Sequence, residues 1–342
     1  MKAAIVREAG LLEVGEVPTP VPGPYDALCE ITHGATCTGT DQHIIHGRFP
    51  FFSIPMPTIL GHESVGRIVE VGPKVRNLRV GDTISRVGAP PAADGSVNAH
   101  WGGFAEYGIA RDHWAMCRDG LPRAEWNGYR VNQIIPSGVA PREATMIVTW
   151  RETLSYLRRM GFTAGMRMLV LGTGGNGLAY AAHAVRLGAE LVVMTGNPER
   201  RSHAEAVGAE ALFDYREPEL AELVGDRYPG GFDLVVDAVG RDGALTQVLP
   251  LVRPEGTVGV YGIDDLEAVG VRFRAARGPV RLFAGPYDEE ETHHEVISEI
   301  LRGRLVADPW FGAQDAFSLE RIGDAFACIA SRRQVKALVA MR

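Results

Sequence analysis

The chain has 342 residues, 46% of them hydrophobic and 23% charged, with a formal net charge of −7, a composition that suits a globular protein of two domains. That acidic balance provides no basic surface for nucleic acid or for an anionic membrane. No run of roughly 18 apolar residues offers a membrane span, no secretory h-region follows Met1, and the four cysteines form no C-x-x-C pair, which together point to a reduced cytoplasm.

Met1-Lys-Ala-Ala-Ile-Val6 reads as a first strand. Ala27–Thr32 and Ser64–Val71 alternate apolar and polar residues, Gly81-Asp82 turns the chain before Thr83–Val87, and Gly103–Ala110 alternates again. Short strands punctuated by glycine and proline predict a β-rich domain over residues 1–150. From Pro141 onward, helical periods alternate with compact apolar strands containing Val170, Leu191, Asp233–Asp237 and Thr257–Tyr261. That texture predicts a parallel sheet and an α/β domain over residues 151–290. Ser318–Cys328 reads as an amphipathic helix and Gln334–Met341 as a closing strand.

The chemistry of the second half lies in Gly172-Thr-Gly174-Gly175-Asn176-Gly177, which follows an apolar strand and precedes an alanine-rich helix. In that context a G-x-G-x-x-G turn is a dinucleotide fingerprint: the glycines permit close backbone approach, and the helix N-terminus faces the pyrophosphate. An NAD enzyme places an acid roughly 20 residues further on. Here Thr195-Gly196-Asn197 stands there, followed by Arg200 and Arg201. With no carboxylate to repel it, a 2′-phosphate has Thr195, Asn197 and the two arginines to hold it, so NADP(H) is the expected cofactor. As ordinary helix charges the arginines would carry no such meaning.

The first half carries Cys37-Thr-Gly39-Thr40-Asp41-Gln-His43 and Gly61-His62-Glu63. Thiolate, imidazole and carboxylate are the ligand types of a catalytic zinc with an open position.

These motifs resemble the medium-chain dehydrogenase/reductase superfamily, in its zinc alcohol/polyol dehydrogenase branch. The likeness runs through Gly-Thr-Asp-x-His, Gly-His-Glu-x-x-Gly, Val71–Asp82, Gly102–Tyr107, the fingerprint and Phe317-Ser-Leu-Glu-Arg-Ile. It implies a GroES-like catalytic domain that the chain leaves for a Rossmann domain and rejoins over 291–342, assembled as a homodimer or homotetramer. Cys37 and His62 would ligate zinc, completed by Glu63 or Glu152, since Arg151-Glu152-Thr-Leu-Ser resembles the polyol branch's Glu-Pro-Leu-Ser. Thr40 would pass the substrate proton and His43 would relay it outward, while Asp41 would orient His62. The resemblance implies hydride exchange between NADP(H) and a secondary alcohol or ketone of small size. Arg151, His43 and His46 near the cleft favour a polyol, sugar or cyclitol.

The chain departs from the family pattern in two places. Thr38 separates Cys37 from Gly39: either a one-residue bulge brings Cys37 to the metal, which is the expectation, or the ligand position falls on Thr38 and zinc is weak or absent. Ala89–Asp94 stands where relatives carry four cysteines, so one catalytic zinc and no structural zinc is expected. Residues 119–129 form a longer connection, lining either the cleft, an interface or plain surface. Two rival readings are a zinc-free NADPH-dependent ene or quinone reductase of the same superfamily and a nucleotide-binding protein without turnover.

Overall fold

The computed structural model describes residues 1–264, 270–332 and 334–342. The chain divides into two compact units, one of Met1–Arg151 with Glu289–Arg342 and one of Glu152–Asp288.

The first unit is built on the strand Asp26–Ala35, whose inward residues Ala27, Cys29 and Ile31 are buried on alternate positions, the period of a half-buried strand. It pairs antiparallel with Glu63–Val71, with Tyr107–Arg111 and with Leu338–Ala340. A smaller sheet joins Leu11–Glu16, Lys2–Glu8, Thr58–Ile59 and Asn98–Ala99. Ala3, Ile5, Cys29, Ile31, Ile68, Ile84, Phe104 and Phe326 fill one continuous core. The C-terminal strand matters for the site, because Leu338 lies opposite Ala35 and so brings Lys336 beside the loop that carries Cys37. The expected tail helix is observed as a short 3-10 turn followed by Ile322–Ala330. Residues 119–129 fold into the helical turns Arg123–Trp126 and Asn127–Tyr129.

The second unit is a six-stranded sheet in which every pairing is parallel. Its order across the sheet is Ala211–Asp214, Leu191–Gly196, Arg167–Leu171, Phe232–Asp237, Val252–Val260 and Arg281–Phe283. Counted along the chain this is 3-2-1-4-5-6, the doubly wound order whose crevice lies where the direction of winding reverses. The glycine-rich turn leaves the first strand at that point. Gly172 has φ +107°, a conformation that favours glycine, and a Cβ on Gly177 would meet the Gly172 carbonyl oxygen at 2.0 Å. Among the described residues no helix is long and apolar enough to cross a membrane.

Candidate active site

Cys37, His62 and Glu63 converge in the first unit, each offering a ligand atom within 4.8 Å of the others. Among the described residues this is the one group of three or more such side chains close enough for a single ion. Cys37 and Gly39 flank Thr38 on a turn ahead of the helix Thr40–Ile45. The additional residue is thus absorbed in the turn, and the sulfur still faces the histidine. His62 and Glu63 come from the start of the strand Glu63–Val71 and the loop before it.

Asp41 contacts both Cys37 and His62. Its Oδ2 accepts the Cys37 N–H at 2.8 Å, while Oδ1 lies 3.2 Å from His62 Nδ1. With Nδ1 on the side of Asp41, Nε2 lies 3.9 Å from Glu63 Oε1; an imidazole oriented through its second nitrogen is the usual arrangement at metal sites. Burial alone would lower the His62 pKa, but Asp41 and the Cys37 sulfur carry it up to about 10. The same acidic neighbours would favour a bound cation, which would have to displace that proton from the imidazole.

Glu63 is buried and engaged at both oxygens. Thr149 Oγ1 donates to Oε1 at 2.9 Å, and Lys336 Nζ donates to Oε2. Burial opposes the Lys336 charge, yet Glu63, Cys37 and Asp41 outweigh it and raise its pKa. Sequence reasoning missed Lys336, 273 residues from Glu63, since no local motif marks such a distant partner.

Thr40 and His43 both lie on the helix Thr40–Ile45, three residues apart and so on one face. Beside the cluster runs a chain of aromatic rings, also absent from the sequence expectations. Trp101 lies 5.4 Å from the His62 ring, 5.7 Å from Phe49 and 4.1 Å from His100. Phe49 in turn meets Phe51 and Phe52, which are 56% and 42% exposed. The rings lead from solvent to His62. The cluster Phe49-Pro-Phe51-Phe52 was the one available signal in the sequence.

Arg151 corrects an expectation. It is fully buried rather than in a cleft, with Nη2 donating to Glu289 Oε2 at 2.5 Å and to the Val131 carbonyl at 3.1 Å. A guanidinium so enclosed by structural partners cannot meet substrate.

In the second unit, Glu152 Oε2 and Oε1 accept from Tyr261 and Tyr287 at 3.0 and 3.1 Å. The turn Gly172–Gly177 leads into the helix Gly175–Arg186. A Cβ on Gly174 would meet nothing within 4 Å, so the backbone there is open to close approach. The strand Leu191–Gly196 includes Thr195 and ends at Gly196. Thr195 is buried and pairs with Leu171 and Phe213 on either side; alternation points its side chain away from the face that position 196 presents. Asn197 caps the following turn by accepting the Glu199 N–H at 3.2 Å. Arg200 is buried, and its Nη1 donates to the Thr173 carbonyl at 2.7 Å. Arg201 is exposed, with Nη2 donating to the Leu212 carbonyl at 3.1 Å.

Two family models match: an alcohol dehydrogenase GroES-like domain over residues 23–119 and a zinc-binding dehydrogenase domain over 175–278. A Mycobacterium tuberculosis protein described as a zinc-binding alcohol dehydrogenase is 30% identical over 91% of this chain and 81% of its own. The L-galactonate-5-dehydrogenase of Escherichia coli is 30% identical over 71% of each chain. Among solved structures, one from Sinorhizobium meliloti described as a zinc-binding dehydrogenase bound to NADP aligns with a TM-score of 0.77 and 26% identity, covering 99% of this chain and 98% of that one.

The Glu63–Lys336 pair makes a stability prediction. Removing one partner of a buried pair strands the other charge at a cost of about 3–5 kcal/mol. Lys336→Met should therefore lower the melting temperature markedly, and Lys336→Met with Glu63→Gln should recover most of the loss. Equal melting temperatures for Lys336→Met and wild type would show that the pair is not held buried in solution.

Proposed function

Since the chain belongs to the zinc-binding alcohol dehydrogenase family of the medium-chain dehydrogenase/reductase superfamily, and is an alcohol or polyol dehydrogenase, we propose that it exchanges hydride between NADP(H) and a secondary alcohol or ketone at a site holding one zinc. The carrying observation is the convergence of Cys37, His62 and Glu63 with Asp41 behind the histidine. Thiolate, imidazole and carboxylate fit zinc, whose chemistry in such a site is to polarise the carbonyl or stabilise the alkoxide.

The chain's own residues supply the rest. Asp41 fixes the His62 ring. Lys336 balances the Glu63 charge so that the ligand cluster does not accumulate buried anions. The Thr40 hydroxyl passes the substrate proton, and His43, one turn along the same helix, relays it outward. For substrate we propose a polyol, sugar or cyclitol. The relative acting on L-galactonate supports a hydroxylated substrate, and Trp101 with Phe49 supports one in ring form, whose C–H face packs against aromatic surface. We further place the protein in the cytoplasm as a homodimer or homotetramer, on family resemblance and on four free cysteines.

NADP(H) is favoured because the strand beside the glycine-rich turn ends in Gly196, without a carboxylate. Asn197 and Arg201, which follow it, would hold the 2′-phosphate, while Arg200 braces the turn through the Thr173 carbonyl.

Purified protein should contain about one zinc per chain and oxidise cyclic polyols. Cys37→Ala or His62→Ala should lose both metal and turnover while retaining dinucleotide binding. Full activity after exhaustive chelation would overturn the zinc assignment.

Thr40→Val keeps the shape but not the hydroxyl, so kcat should fall on the order of 100-fold. His43→Ala should cost less, because water can replace a relay member that opens toward solvent. Normal turnover by Thr40→Val would remove the relay from the mechanism.

A charge-assisted hydrogen bond to the phosphate contributes roughly 1.5–3 kcal/mol. The kcat/KM with NADP(H) should then exceed that with NAD(H) by at least about tenfold, and Arg201→Ala should weaken only the phosphorylated cofactor. A wild-type preference for NAD(H) refutes this reading.

A further inference from the structure

Thr173, the variable residue inside the glycine-rich turn, grips the end of the neighbouring strand through three separate groups. Its Oγ1 accepts the Asn197 N–H at 3.2 Å. Its carbonyl accepts from Arg200 Nη1 at 2.7 Å. Its side chain fills the space beside Gly196: a Cβ built there would lie 2.4 Å from Cγ2, 2.6 Å from Oγ1 and 3.0 Å from Cβ of Thr173.

Neither side of that contact can yield readily. Gly196 is held in register with Asp214, and its carbonyl accepts the Tyr215 N–H at 3.2 Å. Thr173 is 5% exposed. A β-branched residue has few χ1 states, and rotation would also release the Asn197 N–H, leaving a donor without its partner.

Position 196 is where the strand ends, on the side facing the turn, about 20 residues beyond the fingerprint. That is the place from which an acid reaches the ribose hydroxyls in an NAD site. Resting on the NADP(H) reading above, we propose that Thr173 is a specificity-determining residue of the dinucleotide site. By occupying the volume that a side chain at 196 requires, it keeps that position glycine, bars a carboxylate from the ribose edge and leaves room for a 2′-phosphate. The selectivity is thus set from inside the phosphate-binding turn as well as by the residues that would touch the phosphate.

The proposal makes residues 173 and 196 energetically coupled, as residues in direct contact are. The test measures dissociation constants of NADH and NADPH, by fluorescence quenching on the full-length protein, for wild type, Thr173→Ala, Gly196→Asp and the double variant. Gly196→Asp alone should weaken both dinucleotides by about tenfold or more, because the new side chain displaces the turn. Adding Thr173→Ala should restore NADH binding by at least about tenfold over Gly196→Asp and reverse the preference. Gly196→Asp that already binds NADH as tightly as the double variant overturns the proposal.

Should Gly196→Asp fail to fold, the pair Gly196→Ala and Thr173→Ala/Gly196→Ala answers the same question through melting temperature. Gly196→Ala should melt several degrees lower, with the loss largely recovered in the double variant; additive losses overturn the coupling. A wild-type preference for NADH would refute the NADP(H) reading alone, because the coupling between positions 173 and 196 is measured independently of it.

Discussion

The buried carboxylate of Asp41 sets the geometry on which the catalytic half depends. It is fully enclosed, and a carboxylate taken out of water is tolerated only where its oxygens meet donors or cations. One oxygen holds the backbone of Cys37 and the other faces His62 Nδ1. A single side chain therefore shapes the turn that presents the sulfur and the ring that presents nitrogen. The turn can accommodate Thr38 without parting Cys37 from His62 and Glu63, because the Cys37 backbone is anchored to Asp41.

Asp41, Glu63 and Cys37 together concentrate acidic groups in a small buried volume, which makes the C-terminal strand more than a closing element. Its antiparallel pairing with Asp26–Ala35 carries Lys336 to Glu63 and to the Thr36 carbonyl at 3.4 Å. The cation offsets one carboxylate, and the carboxylate holds the lysine charged in a place where burial opposes it. The segment that returns to the first unit thus completes the electrostatics of a loop near the beginning of the chain. This is a physical reason for the discontinuous domain: the charge balance of the ligand cluster requires both ends of it.

What could be read from the sequence was local. The strand, glycine-rich turn and helix from Arg167 to Arg186 follow from periodicity and from glycines whose backbone conformation or packing excludes other residues. The types of Cys37, His62 and Glu63 point to a metal, and the three side chains do converge. What could not be read was long-range or a matter of one residue. Arg151 looked like a cleft residue because nothing in its neighbourhood of sequence foretells Glu289 as a buried partner. Thr195, read as standing where an NAD enzyme places its acid, is a residue of the strand Leu191–Gly196, and successive residues of a strand face opposite sides. The ring series from Phe52 to Trp101 joins two segments far apart in the chain.

The glycines of the second unit separate into two kinds, and the difference explains why the fingerprint is informative. Gly174 has open space where its Cβ would be, so the protein's own packing does not require its lack of a side chain. Gly177 and Gly196 have no such space: the Gly172 carbonyl closes on one and Thr173 on the other. These two answer to the protein's own packing, at the junction of strand and helix and at the junction of turn and neighbouring strand. A turn fastened at both junctions presents its N–H groups in one fixed arrangement, and preorganised donors are what an anionic pyrophosphate requires. The residue between the first two glycines, Thr173, joins the turn to the end of the neighbouring strand, which on the dinucleotide reading proposed above ties the phosphate-binding end to the ribose-binding end.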